Sequence, residues 1–265
     1  MTIWFALFKK ELRLGWMAFL IFFILQVLLM GLGIFLNLRF GSDAVVAPAV
    51  IGVMLTLCLI LYVPVYLLFN VIQERKTFHI WMQNPLPAWA MLLAKMSGAV
   101  AYLILSGVVI GGYTWFGLTR ISGFPGALSL SHLSLLCALI LLWLSIGGGV
   151  GFLFLWTVYR TMRSRIGRWS WLVLIVGIGI YSYVDTKLTQ SGLINVLTHW
   201  GRVPERFLYD FLVSSGSTIT SHAFKTTLES GSDPFYIGSI VFDLIITVIF
   251  FLITAWLSDN ELEVS

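Results

Sequence analysis

Long runs without a charged side chain alternate along this sequence with short polar stretches. Residues 14–38, 44–72 and 96–119 contain no Asp, Glu, Lys or Arg. Neither does 121–159, which is too long for one membrane crossing of about 20 residues. Its opening, "ISGFPGALSLS", reads as a loop through Gly123, Pro125 and Gly126, so the crossing it holds covers 132–159. Residues 169–184 are short but bracketed by Trp169 and Trp171 at one end and Tyr181 and Tyr183 at the other, as interfacial aromatic belts would be. Residues 234–258 form a sixth run with one acid inside it, Asp243. The pattern predicts an all-α membrane protein, one transmembrane domain over 1–265. Its spans lie at about 15–38, 46–72, 92–118, 132–159, 168–185 and 236–257, with an external segment over 186–235.

Composition supports that class. Hydrophobic residues make up 59% of the chain and charged ones 11%, against about 25% charged in a soluble domain. The excess apolar surface does not fit inside one core, so its solvent is the lipid bilayer. The net charge of +4 raises nucleic acid as a partner, but no basic run has the density that phosphate binding needs. The basic residues instead give an orientation. Lys9, Lys10 and Arg13 precede span one; Arg75, Lys76 and Lys95 lie between spans two and three; Arg160, Arg163, Arg165 and Arg168 lie between spans four and five. The alternate short loops hold only Arg39 and Arg120, a ratio of ten to two that predicts cytoplasmic N- and C-termini. The first apolar run exceeds the 7–15 residues of a signal-peptide core, so it reads as an uncleaved span. Cys58 and Cys137 are far apart in apolar runs and read as buried free thiols. His79, His132, His199 and His222 are scattered, with no metal-binding spacing.

Three segments lie outside the spans. In "TIWFALFKKELRLGW", Trp4, Leu7, Phe8 and Leu12 recur at helical spacing while Lys9, Lys10 and Arg13 share another face. This predicts either an amphipathic helix in the cytoplasmic interface or a plain extension of span one. Between spans two and three, "QERKTFHIWMQNPLPAWAMLLAK" puts Glu74, Arg75 and Lys76 just beyond the membrane. Pro85 breaks the helix there and Pro87 opens the next one. The elbow so formed carries Phe78, His79, Ile80, Trp81 and Met82, which either dock on a partner or rest on lipid headgroups. The external segment holds two short helical patterns, "GLINVLTHW" and "RFLYDFLVSS". The acidic tail after Ser258 reads as a solvated end.

The basic amphipathic start, the six spans and the elbow with Glu74-Arg75, then Leu86-Pro87, then Lys95 opening span three, together resemble the permease subunit of an ABC transporter of the type-2 exporter superfamily. Lys76 and Thr77 stand where that family often has a glycine, and Asn84-Pro85 adds a second break. The resemblance implies a dimer with a second permease, identical or homologous, and two separate ABC ATPase subunits that hold ATP and Mg. It implies residence in the cytoplasmic membrane of a bacterium. It also implies a coupling role for Glu74, Arg75, Phe78, His79, Trp81 and Pro87, with the helix bearing Lys9, Lys10 and Arg13 contacting the same ATPase. The external segment corresponds to short helices closing the outer end.

The chain has no G-x-x-x-x-G-K-[ST] nucleotide motif, so no cofactor of its own is expected. Gly147 and Gly151, like Gly107 and Gly111, have the spacing of close helix packing. Within the spans, Gln26 and Asn37 are candidates to line a pathway or bond between helices. Asp243 is a candidate for the pathway or a hydrated residue near the outer interface. Thr56 and Ser145 are expected to bond to their own helix backbones, and Pro64 to kink span two. A membrane-embedded enzyme needs converging polar groups that the spans do not offer, His199, Asp210 and His222 being too irregularly spaced. A permease-like sensing or immunity subunit for antimicrobial peptides is the further alternative.

Overall fold

The computed structural model describes residues 3–40, 46–74, 87–120, 129–203 and 236–264. Among them the chain is helical throughout, with no strand beyond a single isolated bridge between Arg202 and Tyr236. Eight helices follow in order: α1 (Ile3–Phe40), α2 (Ala47–Cys58), α3 (Tyr62–Glu74), α4 (Ala88–Thr119), α5 (Leu130–Ile166), α6 (Ser170–Gln190), α7 (Leu193–Thr198) and α8 (Ile237–Val264). Six stretches are long and apolar enough to cross a membrane, with α2 and α3 together making the second. Helix is the form such sequences take in lipid, because every backbone N–H and C=O is then satisfied within the segment.

The chain divides into two units, Met1–Phe152 and Leu153–Ser265. In the first, contacts fix the relative directions of five helices. Leu7 packs with Met91 and Ala94, the Tyr102 hydroxyl donates to the Leu12 carbonyl (2.7 Å), and the Tyr113 hydroxyl donates to the Met30 carbonyl (3.1 Å). Residue numbers rise together, so α1 and α4 run the same way. Gly117 packs on Pro48 and Ala49 while Gly98 lies near Tyr66, so α2 and α3 run against α4. Ser145 meets Leu59 and Val63, and Gly149 meets Val63 and Leu67, so α5 runs with α3. This alternation is what consecutive membrane crossings require.

The second span is broken where Pro64 demands it. Proline has no N–H for the carbonyl four residues back, and its ring collides with that carbonyl. The helix tightens into a 3₁₀ turn at Leu59–Leu61, one turn before the proline. Ser145 of α5 fills the break: its hydroxyl donates to the Leu59 carbonyl (3.1 Å) and accepts from the Val63 N–H (3.4 Å). The expectation that Ser145 bonds to its own helix is corrected here. Thr56 does bond within its helix, donating to the Gly52 carbonyl at 2.7 Å, and its hydroxyl lies 3.3 Å from that of Thr114.

Other expectations are corrected as well. Of the two readings of the N-terminal segment, the structure shows the extension of span one, because α1 runs unbroken from Ile3 to Phe40. Its two faces separate as the sequence pattern suggests: Leu7 is buried while Lys9, Lys10 and Arg13 are exposed. The apolar face, however, packs on α4. Among the described residues nothing lies within 4 Å of a Cβ placed on Gly147, Gly151 or Gly111, and at Gly107 such a Cβ meets the tip of Leu59. The tight approach on α5 is at Gly149, where an added Cβ would strike Val63. Cys58 and Cys137 are free but exposed, not buried.

In the second unit, α6 continues past the expected end of span five to Gln190. The Ser170 hydroxyl at its start donates to the Tyr159 carbonyl at 3.0 Å, and Phe154 stacks on Phe250 of α8. The "GLINVLTHW" pattern contains α7. The segment after α7 docks on the start of α8: the Ile237 and Gly238 N–H groups donate to the Gly201 and Trp200 carbonyls (both 3.1 Å), and His199 packs on Tyr236. The acidic tail is helical to Val264. The "RFLYDFLVSS" pattern, Asp210 and His222 lie outside the described residues.

Candidate functional site

The most polar interior of the described chain lies between α1, α3 and α4, near the end of the first unit where α1 begins. Glu11 is 1% exposed, Asn70 2%, Lys95 3% and Tyr66 fully buried. A charged side chain in such a place is rare without partners. The Asn70 amide donates to a Glu11 carboxylate oxygen at 3.1 Å, tying α3 to α1. Glu11 also packs on α4, since its Cβ is 3.8 Å from where a Cβ on Gly98 would stand. Lys95 is three residues before Gly98, on the same face of α4. The acid and the ammonium are thus carried to one helix interface.

Local sequence builds this arrangement. Leu7, Glu11, Gly15 and Ala18 recur every three or four residues of α1 and are all buried, so Glu11 stands in the packed stripe instead of on the basic face. Gly15 provides the clearance for Tyr66. A Cβ there would strike the Tyr66 hydroxyl and ring carbons, so only glycine lets α3 lay this tyrosine against α1. Tyr66 continues into an aromatic column, with Tyr102 at 5.6 Å and Tyr62 at 6.4 Å between ring centroids; Tyr102 in turn stacks on Phe19 at 4.6 Å.

A hydrogen bond to a charged group contributes about 1.5–3 kcal/mol net, and removing one partner of a buried charge costs more. The cluster therefore acts as a joint: α1, α3 and α4 do not separate here without uncovering a carboxylate and an ammonium. Its chemistry suits holding helices in register.

The residues expected from sequence fall elsewhere. Glu74 is the last residue of α3 and Pro87 immediately precedes α4, with an extended backbone (ψ 147°) that turns the chain into the helix. Arg75, Phe78, His79 and Trp81 lie outside the described residues. Lys9, Lys10 and Arg13 share the exposed side of α1. Gln26 is half-buried, and its side-chain oxygen is buried with no protein partner. Asn37 is half-buried, and Asp243 is exposed on α8 with its backbone carbonyl accepting from Thr247 (2.8 Å). Gln26 and Asn37 belong to the first unit and Asp243 to the second. Lys95, expected only as the residue opening span three, belongs to the buried cluster, and sequence reasoning missed Glu11, Tyr66 and Asn70. The available signal was an acid at Leu7 plus four, on the apolar stripe. Comparison with protein-family models, curated proteins and solved structures finds no match to this chain.

Proposed function

We propose that this chain is the permease subunit of an ATP-driven transporter of the ABC type-2 exporter kind. In this reading it sits in the cytoplasmic membrane of a bacterium with both termini inside. Two separate ATPase subunits carry ATP and Mg, and a second permease completes the export pathway. The observation that supports it best is the joint itself. The start of α1, the end of α3 and the start of α4 meet at Glu11, Asn70 and the Lys95 face of α4. Residues 75–86, read from the sequence as an elbow, connect α3 to α4 and lie outside the described residues. A force applied to that elbow, or to the basic face of α1, would enter one braced group of helices. Such bracing suits a subunit driven from outside its own fold, and it suits a sensing subunit equally.

Co-purification tests the reading. The chain is expressed with candidate ABC ATPases and extracted in mild detergent. Stable association is expected, with loss on Trp81→Ala or Glu74→Ala and retention of the folded permease. A chain that binds no ATPase sinks the proposal. Nucleotide-dependent export from inverted vesicles then separates transport from sensing.

A further inference from the structure

Four polar atoms along the aromatic column are buried without a protein partner: the hydroxyls of Tyr62, Tyr66 and Ser106 and the amide oxygen of Asn70. All four residues are at least nine-tenths buried. They are contiguous. Tyr62, Tyr66 and Asn70 stand one turn apart on one face of α3, and Ser106 stands one turn beyond Tyr102 on α4. The antiparallel register that sets Tyr66 beside Tyr102 sets Tyr62 beside Ser106, near it but outside hydrogen-bond geometry. By contrast, Tyr102 and Tyr113 each donate to a carbonyl of α1. The unpartnered tyrosine hydroxyls are therefore those of Tyr62 and Tyr66 on α3 and are not general to the tyrosines of these helices; Gln26 carries a further unpartnered buried oxygen, on α1.

Buried hydroxyls and amide oxygens without partners are strongly unfavourable, and interiors satisfy them with bound water where two to four polar groups converge. Two places bring two or more of these polar residues together. At the first, the Tyr66 hydroxyl is 3.9 Å and the Glu11 Cβ 3.8 Å from the empty Cβ position of Gly98, with Asn70 bonded to the same Glu11. At the second, Tyr62 faces Ser106. The chemistry selects a neutral ligand. Glu11 supplies one negative charge and the Lys95 face of α4 one positive charge, so an added cation or anion would lack compensation.

We infer that the α1–α3–α4 interface contains a water-binding site in two parts, one at Tyr66, Asn70 and Glu11 beside Gly98, the other at Tyr62 and Ser106. The three helices are then joined by exchangeable water bridges as well as by direct contacts. This holds whether or not the chain is a permease.

Two substitutions in the purified full-length chain test it by sign. Tyr66→Phe removes only a hydroxyl; Gly98→Ala places a methyl at ordinary contact distance from its neighbours. If water is bound, Tyr66→Phe strands a bridge and Gly98→Ala displaces one, and both lower Tm by a few degrees. If the site is dry, Tyr66→Phe deletes an orphaned hydroxyl and Gly98→Ala fills space with a better helix former, so Tm is unchanged or rises. Lowering by both supports the inference, and any other pairing overturns it. Radiolytic labelling of the wild-type chain in ¹⁸O water decides should either variant fail to fold. Oxygen incorporation at the fully buried Tyr66 is expected, and an unlabelled Tyr66 refutes the site.

Discussion

Replacing Gly117 with alanine should drive α2 away from α4, while the same change at Gly111 on the same helix should not. A Cβ on Gly117 would stand 2.8 Å from the Ala49 nitrogen and 3.0 Å from both the Ala49 Cα and the Pro48 carbonyl carbon. These are backbone atoms and cannot rotate aside. Restoring an ordinary contact of about 3.6 Å requires roughly 0.8 Å of separation between the helices. Overpacking of this kind costs about 1–3 kcal/mol, and alanine returns about 1 kcal/mol over glycine in a helix. With rigid obstacles the net loss should be about 1–2 kcal/mol, or a Tm lower by roughly 2–8 °C. Among the described residues nothing lies within 4 Å of a Cβ at Gly111, so Gly111→Ala should raise Tm by roughly 2–4 °C. Thermal unfolding in matched detergent, followed by tryptophan fluorescence, reads both. Equal shifts for the two variants would refute the packing argument.

Asn70→Leu should destabilise the chain by about 2–3 kcal/mol, because it removes a donor from a buried carboxylate; chemical denaturation measures the loss. Ser145→Ala should cost about 1–3 kcal/mol by stranding the Leu59 carbonyl and Val63 N–H at the proline break, and Ser145→Cys should recover little of it. At Gly238 an added Cβ would strike the Thr198 carbonyl and the Trp200 ring, so Gly238→Ala should loosen the segment after α7. Faster limited proteolysis between Thr198 and Arg202, with the rest of the chain still resistant, is the expected readout.

The spans were legible because bilayer thickness imposes a length and a composition that any charge interrupts. Even the weak fifth run, bracketed by Trp169 and Tyr183, proved to be part of a helix long enough to cross. The break near Pro64 was legible for the same local reason: one residue lacks a donor. The partner of that break was not, since nothing near Ser145 in sequence says which helix will face it. Glycine spacing misled in the same way. Gly147 and Gly151 mark a face that could pack closely, but which face meets a neighbour is decided by the other helix, and here it is Gly149 that does. Glu11 was hidden by Lys9, Lys10 and Arg13 around it. Read with its neighbours it joins a charged patch; read at helical spacing it stands on the buried stripe with Leu7 and Gly15.

The unbroken course of α1 gives it a gear ratio. At 1.5 Å per residue the helix is about 57 Å long, and Gly15, wedged against Tyr66, lies about 18 Å from Ile3 and about 38 Å from Phe40. A stiff rod turning at that contact moves its far end about twice as far as its near end. A shift of about 1 Å at the first turn would emerge as about 2 Å beside Asn37. Leu12 below that contact and Phe19 and Met30 above it also tie α1 to α4, so a turn of this kind would carry α4 along and spread a small push at one end over two helices.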